Sequence, residues 1–339
     1  MKKFLIKISY TLLPVLLIAL GGVTYFSLAL APEFTGDIGR LAMIPFGQGY
    51  DTELEKSNKM REEIFTTITD VHELKNINAD VLTIGDSFSE RGIYGYQNYL
   101  SAHGVKVVNC DRYMYYNPVS YAYEVMDLGY IDSTNTDVLV VQVVERLFEG
   151  FMEDFNPRKQ LLTIPTKNAK RKKKSPNTWS LSRWRDYLMY RMGRVSMPVS
   201  HVELDAGFFS GNDSSSLYIY REDIAATGIK NESRIKEVYR TLLDKANEKH
   251  IRLILMVAVD KLDLYQHHIT NDTFTLKTVN EDIYRILEGD SHLLLTKDCL
   301  MPLIERGEKD IFLYNDSHWS YKAAEVVGDK LYDMISKGP

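Results

Sequence analysis

The chain has 339 residues, 45% of them hydrophobic, enough for one large folded domain with appendages and too apolar for a disordered chain. Its formal net charge of −5 argues against a general nucleic-acid binder. Two cysteines, Cys110 and Cys299, allow at most one bridge and carry no metal-ligand spacing, which excludes a disulfide framework and leaves two buried free thiols as the simpler expectation.

At the amino terminus Lys2, Lys3 and Lys7 precede an uncharged run from Ile8 to Ala31, long enough at about 1.5 Å per residue to cross a bilayer of roughly 30 Å. With lysines before the run and Glu33 and Asp37 after it, the positive-inside rule makes residues 1–7 a cytoplasmic tail, 8–31 a transmembrane anchor, and the body extracytoplasmic, in the periplasm or at the cell surface. Ala29-Leu30-Ala31 resembles a signal-peptidase site, but Pro32 follows where it hinders cleavage. An uncleaved anchor is therefore expected; a cleaved signal peptide is the alternative, and it exports the body equally.

Residues 32–76 read as a linker and a lead-in helix that space the body from the membrane, with no catalytic pattern of their own. From residue 77 to 339 strands and helices alternate. Ala79 to Ile84 is an apolar strand that stops at Gly85-Asp86-Ser87, Tyr94 to His103 a helix, Val105 to Asn109 a second strand, and Pro118 to Asp127 a helix. Asp137 to Val144 is a third strand, apolar enough to be covered on both faces. Residues 150–220 interrupt the rhythm as an insertion. It holds a basic run, Lys170 to Lys174, that reads as a solvated loop or a contact for an anionic polymer or lipid headgroups. Trp184, Leu188 and Met192 fall on one helical stripe that would pack on the body, and Phe208-Phe209 and Leu217 to Tyr220 read as two strands. A helix from Glu232 to Glu248, a strand from Ile251 to Val259, a helix from Leu276 to Leu287, a last strand from His292 to Thr296 and a terminal helix from Tyr321 to Ser336 complete a mostly parallel sheet covered on both faces, a flavodoxin-like three-layer α/β/α arrangement.

Two short stretches carry chemistry. Ser87 stands in a tight turn at the carboxyl end of a strand, the edge where α/β sheets gather their catalytic groups. Asp316-Ser317-His318 stands just before the terminal helix. A serine hydroxyl is a poor nucleophile at its free pKa, and a histidine oriented by a carboxylate supplies the base it lacks. Either stretch by itself is also an ordinary turn or helix cap. His267-His268 are adjacent, point different ways on a helix and make no metal site. The 22 tyrosines suit a sugar-facing cleft, because each pairs a flat apolar face with a hydroxyl. Asn212, Asn231, Asn271 and Asn315 open glycosylation sequons, the last beside the base.

Gly85-Asp86-Ser87-Phe88-Ser89 near the start of the domain and Asp316-Ser-His318 near its end resemble the SGNH, or GDSL, hydrolase superfamily over roughly Asp80 to Ser336. Asp316-Ser-His-Trp319, Val144-Glu145-Arg146 after the third strand, and the stretch Val257 to Tyr265 are similar to the alginate O-acetyltransferase-like branch. The resemblance implies Ser87 as nucleophile, His318 as base and Asp316 as its partner, with no cofactor, a polysaccharide acceptor, and a membrane-bound partner that exports acetyl groups. The chain departs from the superfamily where a glycine and an asparagine usually help form the oxyanion hole: Cys110-Asp111-Arg112 and Glu145-Arg146 follow the second and third strands instead. Losing one oxyanion donor costs on the order of a hundredfold in rate, so replacements are needed. Arg146 is the first candidate, unless it is paired with Glu145 or Asp111; Asn109 and Tyr94 are the others. The expectation is an extracytoplasmic O-acetyltransferase working through an acetyl-Ser87 intermediate. A carbohydrate esterase with the same triad, or a non-catalytic polysaccharide-binding or assembly subunit, are the alternatives.

Overall fold

The computed structural model describes residues 2–47, 53–54, 56–156, 181–195, 198–211, 213–270 and 275–337. The basic run at 170–174 and the sequon asparagines Asn212 and Asn271 lie outside the described residues. Eight strands occur among them: β1 (Thr66–Ile68), β2 (Val81–Gly85), β3 (Val107–Cys110), β4 (Val138–Val144), β5 (Val199–Glu203), β6 (Ser216–Tyr220), β7 (Arg252–Ala258) and β8 (Leu293–Leu295). Six form one sheet in the order β1-β3-β2-β4-β7-β8 with every pairing parallel, while β5 and β6 form a separate antiparallel pair.

Period-2 alternation divides the core into two layers. In β4, Val138, Val140 and Val144 face one apolar cluster while Leu139, Val141 and Val143 face the other. The first cluster is closed by helices Tyr96–Ala102, Thr296–Glu305 and Tyr321–Ser336, the second by Pro118–Asp127, Glu145–Glu153, Glu232–Glu248 and Val279–Ile286. That double cover is why β4 and β7 read as near-continuous apolar runs. The chain runs outward from β2 to β3 and then returns across β2 to β4. The crevice at the carboxyl ends of β2 and β4 is thus the point where strand order reverses, the ordinary ligand site of open parallel sheets.

Helix Lys2–Tyr25 begins an apolar stretch, Ile6–Glu33, long and apolar enough to cross a membrane. Beyond that stretch the chain docks on the domain instead of forming a spacer. Helix Gly36–Ala42 packs into the domain with Ile38, Ala42 and Ile44 fully buried, because these three residues present an apolar edge to the core beside β5 and β6. Phe26, Leu30, Ala31, Phe34 and Met43 form a smaller cluster against Trp184 and Tyr187 of helix Leu181–Arg191. Trp184 thus meets the end of the apolar helix, its ring 5.5 Å from that of Phe26, whereas Leu188 and Met192 of the same stripe are exposed. Phe208 and Phe209 are buried in a loop rather than a strand, and β5, unmarked in the sequence, pairs with β6. Cys110 and Cys299 are both free, and burial pushes both thiols above their ordinary range.

Candidate active site

β2 delivers Ser87 through a turn that the neighbouring strand holds in place. A Cβ on Gly85 would lie 2.1 Å from Ser89 Oγ and 2.6 Å from Gln142 Oε1, so only glycine lets the end of β2 lie this close to β4. The Asp86 carboxylate accepts from Phe88 N (3.0 Å), Gln142 Nε2 (3.0 Å) and Val144 N (2.5 Å), tying the turn to the end of β4. Burial raises its pKa, and those same hydrogen bonds, together with the charge of Arg146, oppose the rise. Ser87 opens the short helical turn Ser87–Ser89 and remains half-buried at the crevice.

The second half of the site comes from the loop between Ile311 and Tyr321. Its ends are closed by a bridge between Phe312 and Trp319 and by a Leu313 hydrogen bond to the His318 carbonyl (3.0 Å), while Ser320 caps the terminal helix. Trp319, fully buried, meets the Phe88 ring edge-on at 4.7 Å, and Phe88 also lies 4.8 Å from the His318 ring. The serine turn and the histidine loop therefore share one packed aromatic.

His318 Nε2 lies 2.7 Å from Ser87 Oγ, and His318 Nδ1 lies 2.5 Å from Asp316 Oδ1. Burial alone would raise the Asp316 pKa, but the charge and hydrogen bonds of His318, with Arg91 at 4.0 Å, outweigh it and hold the carboxyl far below the usual range. An ionised carboxylate can only accept, so the Nδ1 proton belongs to His318, and in the neutral ring Nε2 then faces the serine hydroxyl as an acceptor. The three residues that the sequence paired are therefore brought together in one hydrogen-bonded line.

Of the other sequence candidates, Arg146 and Asn109 are engaged elsewhere, and Tyr94 lies near the triad. Arg146 is bound to Asp260 at 2.5 Å and to Asp223 at 3.4 Å, neither of them the partner anticipated, and its guanidinium stacks on Tyr220. It belongs to a buried cluster in which Lys277 bridges Asp260 (2.8 Å) and Glu145 (3.2 Å) at the carboxyl ends of β4 and β7. Asn109 is buried on β3, where its side-chain oxygen accepts from Thr83 Oγ1 (2.8 Å) and Gln97 Nε2 (3.2 Å). Tyr94 lines a cleft of about 510 Å³ beside the triad, together with Arg40, Glu90, Arg91, Asp316 and Trp319.

Three further residues at the site are not singled out by the sequence, although Lys261 lies within the stretch Val257 to Tyr265. Arg91 lines that cleft beside Asp316 with its Nε atom unbonded. Lys261, fully buried after β7, donates to the carbonyls of Leu313 (2.8 Å), Tyr314 (3.1 Å) and Asp316 (3.2 Å). Burial pushes its ammonium down to about 7 against the raising fields of Asp37, Asp316 and Asp223. Asp37 reaches the loop from the helix next to the apolar segment, bonding Ser317 N at 2.7 Å. Asp37, Asp316 and His318 offer ligand atoms within 4.8 Å of one another, the one such group among the described residues. A cation there would have to displace the proton between His318 and Asp316.

No family model, curated protein or solved structure matches the chain.

Proposed function

We propose that the chain is an O-acetyltransferase of the SGNH type, acting outside the cytoplasm on a surface or exported polysaccharide through an acetyl-Ser87 intermediate. The observation that carries this reading is the continuous hydrogen-bonded line Ser87–His318–Asp316, at 2.7 and 2.5 Å, at the carboxyl edge of a parallel sheet. Support for a flavodoxin-like core comes from the order β3-β2-β4-β7-β8, which is 2-1-3-4-5 when these five strands are counted along the chain. The lysine-flanked apolar helix supports an anchor with its amino terminus in the cytoplasm, and the superfamily resemblance adds a membrane-bound acetyl-exporting partner.

In the first half-reaction Ser87 Oγ attacks the acetyl carbonyl of the donor while His318 Nε2 takes the hydroxyl proton. The imidazolium, held by Asp316, returns that proton to the departing group as the carbonyl re-forms on Ser87. In the second half a sugar hydroxyl attacks the acetyl-serine, gives its proton to His318, and leaves as the acetate ester while Ser87 recovers its proton. The scheme needs neither metal nor nucleotide. The Ser87 backbone N–H is the donor this reading assigns to the transient oxyanion; Arg91, which lines the adjacent cleft with its Nε unbonded, is the candidate for a second donor, because Arg146 is committed to Asp260.

The test supplies the purified chain with an activated acetyl ester, with and without oligosaccharide acceptors, and follows acetyl by mass spectrometry beside Ser87→Ala. Acetylated sugar is expected, with turnover lost by a thousandfold or more in the variant. Free acetate alone would assign an esterase, and turnover equal to that of Ser87→Ala would remove both enzyme readings in favour of a binding subunit.

A further inference from the structure

The residues that leave the apolar helix dock onto the histidine loop almost one by one. Asn315 Nδ2 donates to Thr35 Oγ1 at 2.7 Å, and Gly39 N donates to the Asn315 carbonyl at 3.3 Å. Gly36, at φ +68, lies so close that a Cβ would come within 1.9 Å of the same carbonyl oxygen. Asp37 N donates to Asp316 Oδ2 at 3.1 Å. The Asp37 carboxylate accepts from Ser317 N at 2.7 Å and Ser317 Oγ at 2.5 Å. Its Oδ2 stands 3.6 Å from His318 Nδ1.

Building on the acetyl-serine reading, we propose that Asp37 is a positioning residue for His318, a second carboxylate on the Nδ1 side of the ring, and that the triad is complete only when the segment after the apolar helix is seated. Asp316 takes the Nδ1 proton at 2.5 Å; Asp37, beyond hydrogen-bond length, leaves that bond alone and adds negative charge beside the ring just as the ring becomes cationic. By holding both the N–H and the hydroxyl of Ser317, it also fixes the peptide between the catalytic acid and base. The groups facing the imidazole come from every side. Asp316 is on its own loop, Ser87 and the Phe88 ring come from the β2 turn and Asp37 from the docked helix, with Tyr220 of β6 beside Asp37 and Asp316. Arg91 sits behind Asp316, and the Lys261 ammonium lies on the loop carbonyls. Asp37 is the one contributed by the chain's amino-terminal segment.

The full chain in detergent micelles, with Asp37→Asn, Asp37→Glu and Ser87→Ala, tests this. Imidazole NMR, with His318 assigned by its loss in His318→Gln, follows the charging of the ring with pH. Removing a nearby carboxylate disfavours the cation, so the His318 curve in Asp37→Asn is expected to move to lower pH by about half a unit or more. The ascending limb of ester turnover should follow it, with kcat reduced about tenfold at the optimum and KM little changed; Asp37→Glu should restore both. A uniform rate loss with the NMR curve and the limb unmoved would reduce Asp37 to a brace and overturn the proposal, as would wild-type values throughout. Should the parent turn over no faster than Ser87→Ala, the acetyl-serine reading falls, while the NMR curves still decide Asp37.

Discussion

Glu90 lies between the cleft and Asp111, where its carboxylate accepts from Arg112 N at 3.0 Å. Burial pushes its pKa up to about 7, Asp111 adds to the rise, and Arg112 and Asn109 oppose it. The folded chain therefore keeps a proton that the unfolded chain releases above its ordinary value of 4.5. The contribution to stability is fully present below that value and is lost as pH rises through 7, a change of roughly 3 kcal/mol. Glu90→Gln keeps an acceptor for Arg112 and removes the titration. It is expected to match the parent at pH 4 and exceed it by that amount at pH 8 in urea denaturation. Parallel stability curves for the two proteins across this range would refute the assignment. Residues differ in how far their roles could be read from sequence. Asp316 and His318 are two positions apart and sit in one loop, so their pairing is local and legible. Arg146 is not local in that sense: its strongest partner, Asp260, is 114 positions away, and a free arginine and a neutralised one look the same in a sequence.

The loop that carries Asp316 and His318 keeps its shape through a donor from the short helix Lys261–Tyr265 that follows β7. Lys261 opens that helix and lays its ammonium on three carbonyls of residues 313–316. Lys261→Met fills most of the same volume but leaves those carbonyls without their donor, each at a cost of about 1 kcal/mol or more. A stability loss of roughly 2–4 kcal/mol is expected, and, on the proposed acetyl-serine reading, kcat lowered at least tenfold with KM little altered, because in that reading the loop places the base rather than binding the acceptor. Measured kcat at the parental level would show that the loop holds itself. Among the elements, long periodic ones such as Glu232–Glu248, Tyr321–Ser336 and β4 matched their patterns closely. The three-residue edge strand β1 carries too few residues to show a period, and the buried Phe208-Phe209 pair mimics a strand while packing in a loop against Tyr265 and Tyr314.

The chain threads from an apolar helix straight into the loop that carries Asp316 and His318, so the candidate span and the candidate site lie within a few residues of each other. Asp37 lies four positions beyond Glu33, where the apolar stretch ends, so at most about 14 Å of extended chain separates the two. Asp37 bonds Ser317 across 280 positions, and no local pattern marks such a contact, which is why residues 32–47 read as a spacer. Two truncations separate anchoring from catalysis. Removing residues 1–31 takes away the apolar helix but leaves Asp37 and the buried Ile38, Ala42 and Ile44 in place. That protein is expected in the soluble fraction, with ester turnover within a few-fold of the full chain. Removing residues 1–47 strips those side chains from the first core layer, each large one worth about 1.5–3 kcal/mol of burial, and takes the carboxylate from beside His318. Turnover is expected to fall a hundredfold or more, with a lower midpoint in thermal unfolding. Equal turnover in the two truncations would show that the docked segment is only a tether, and a rate lost already in the shorter truncation would place the dependence on the apolar helix itself.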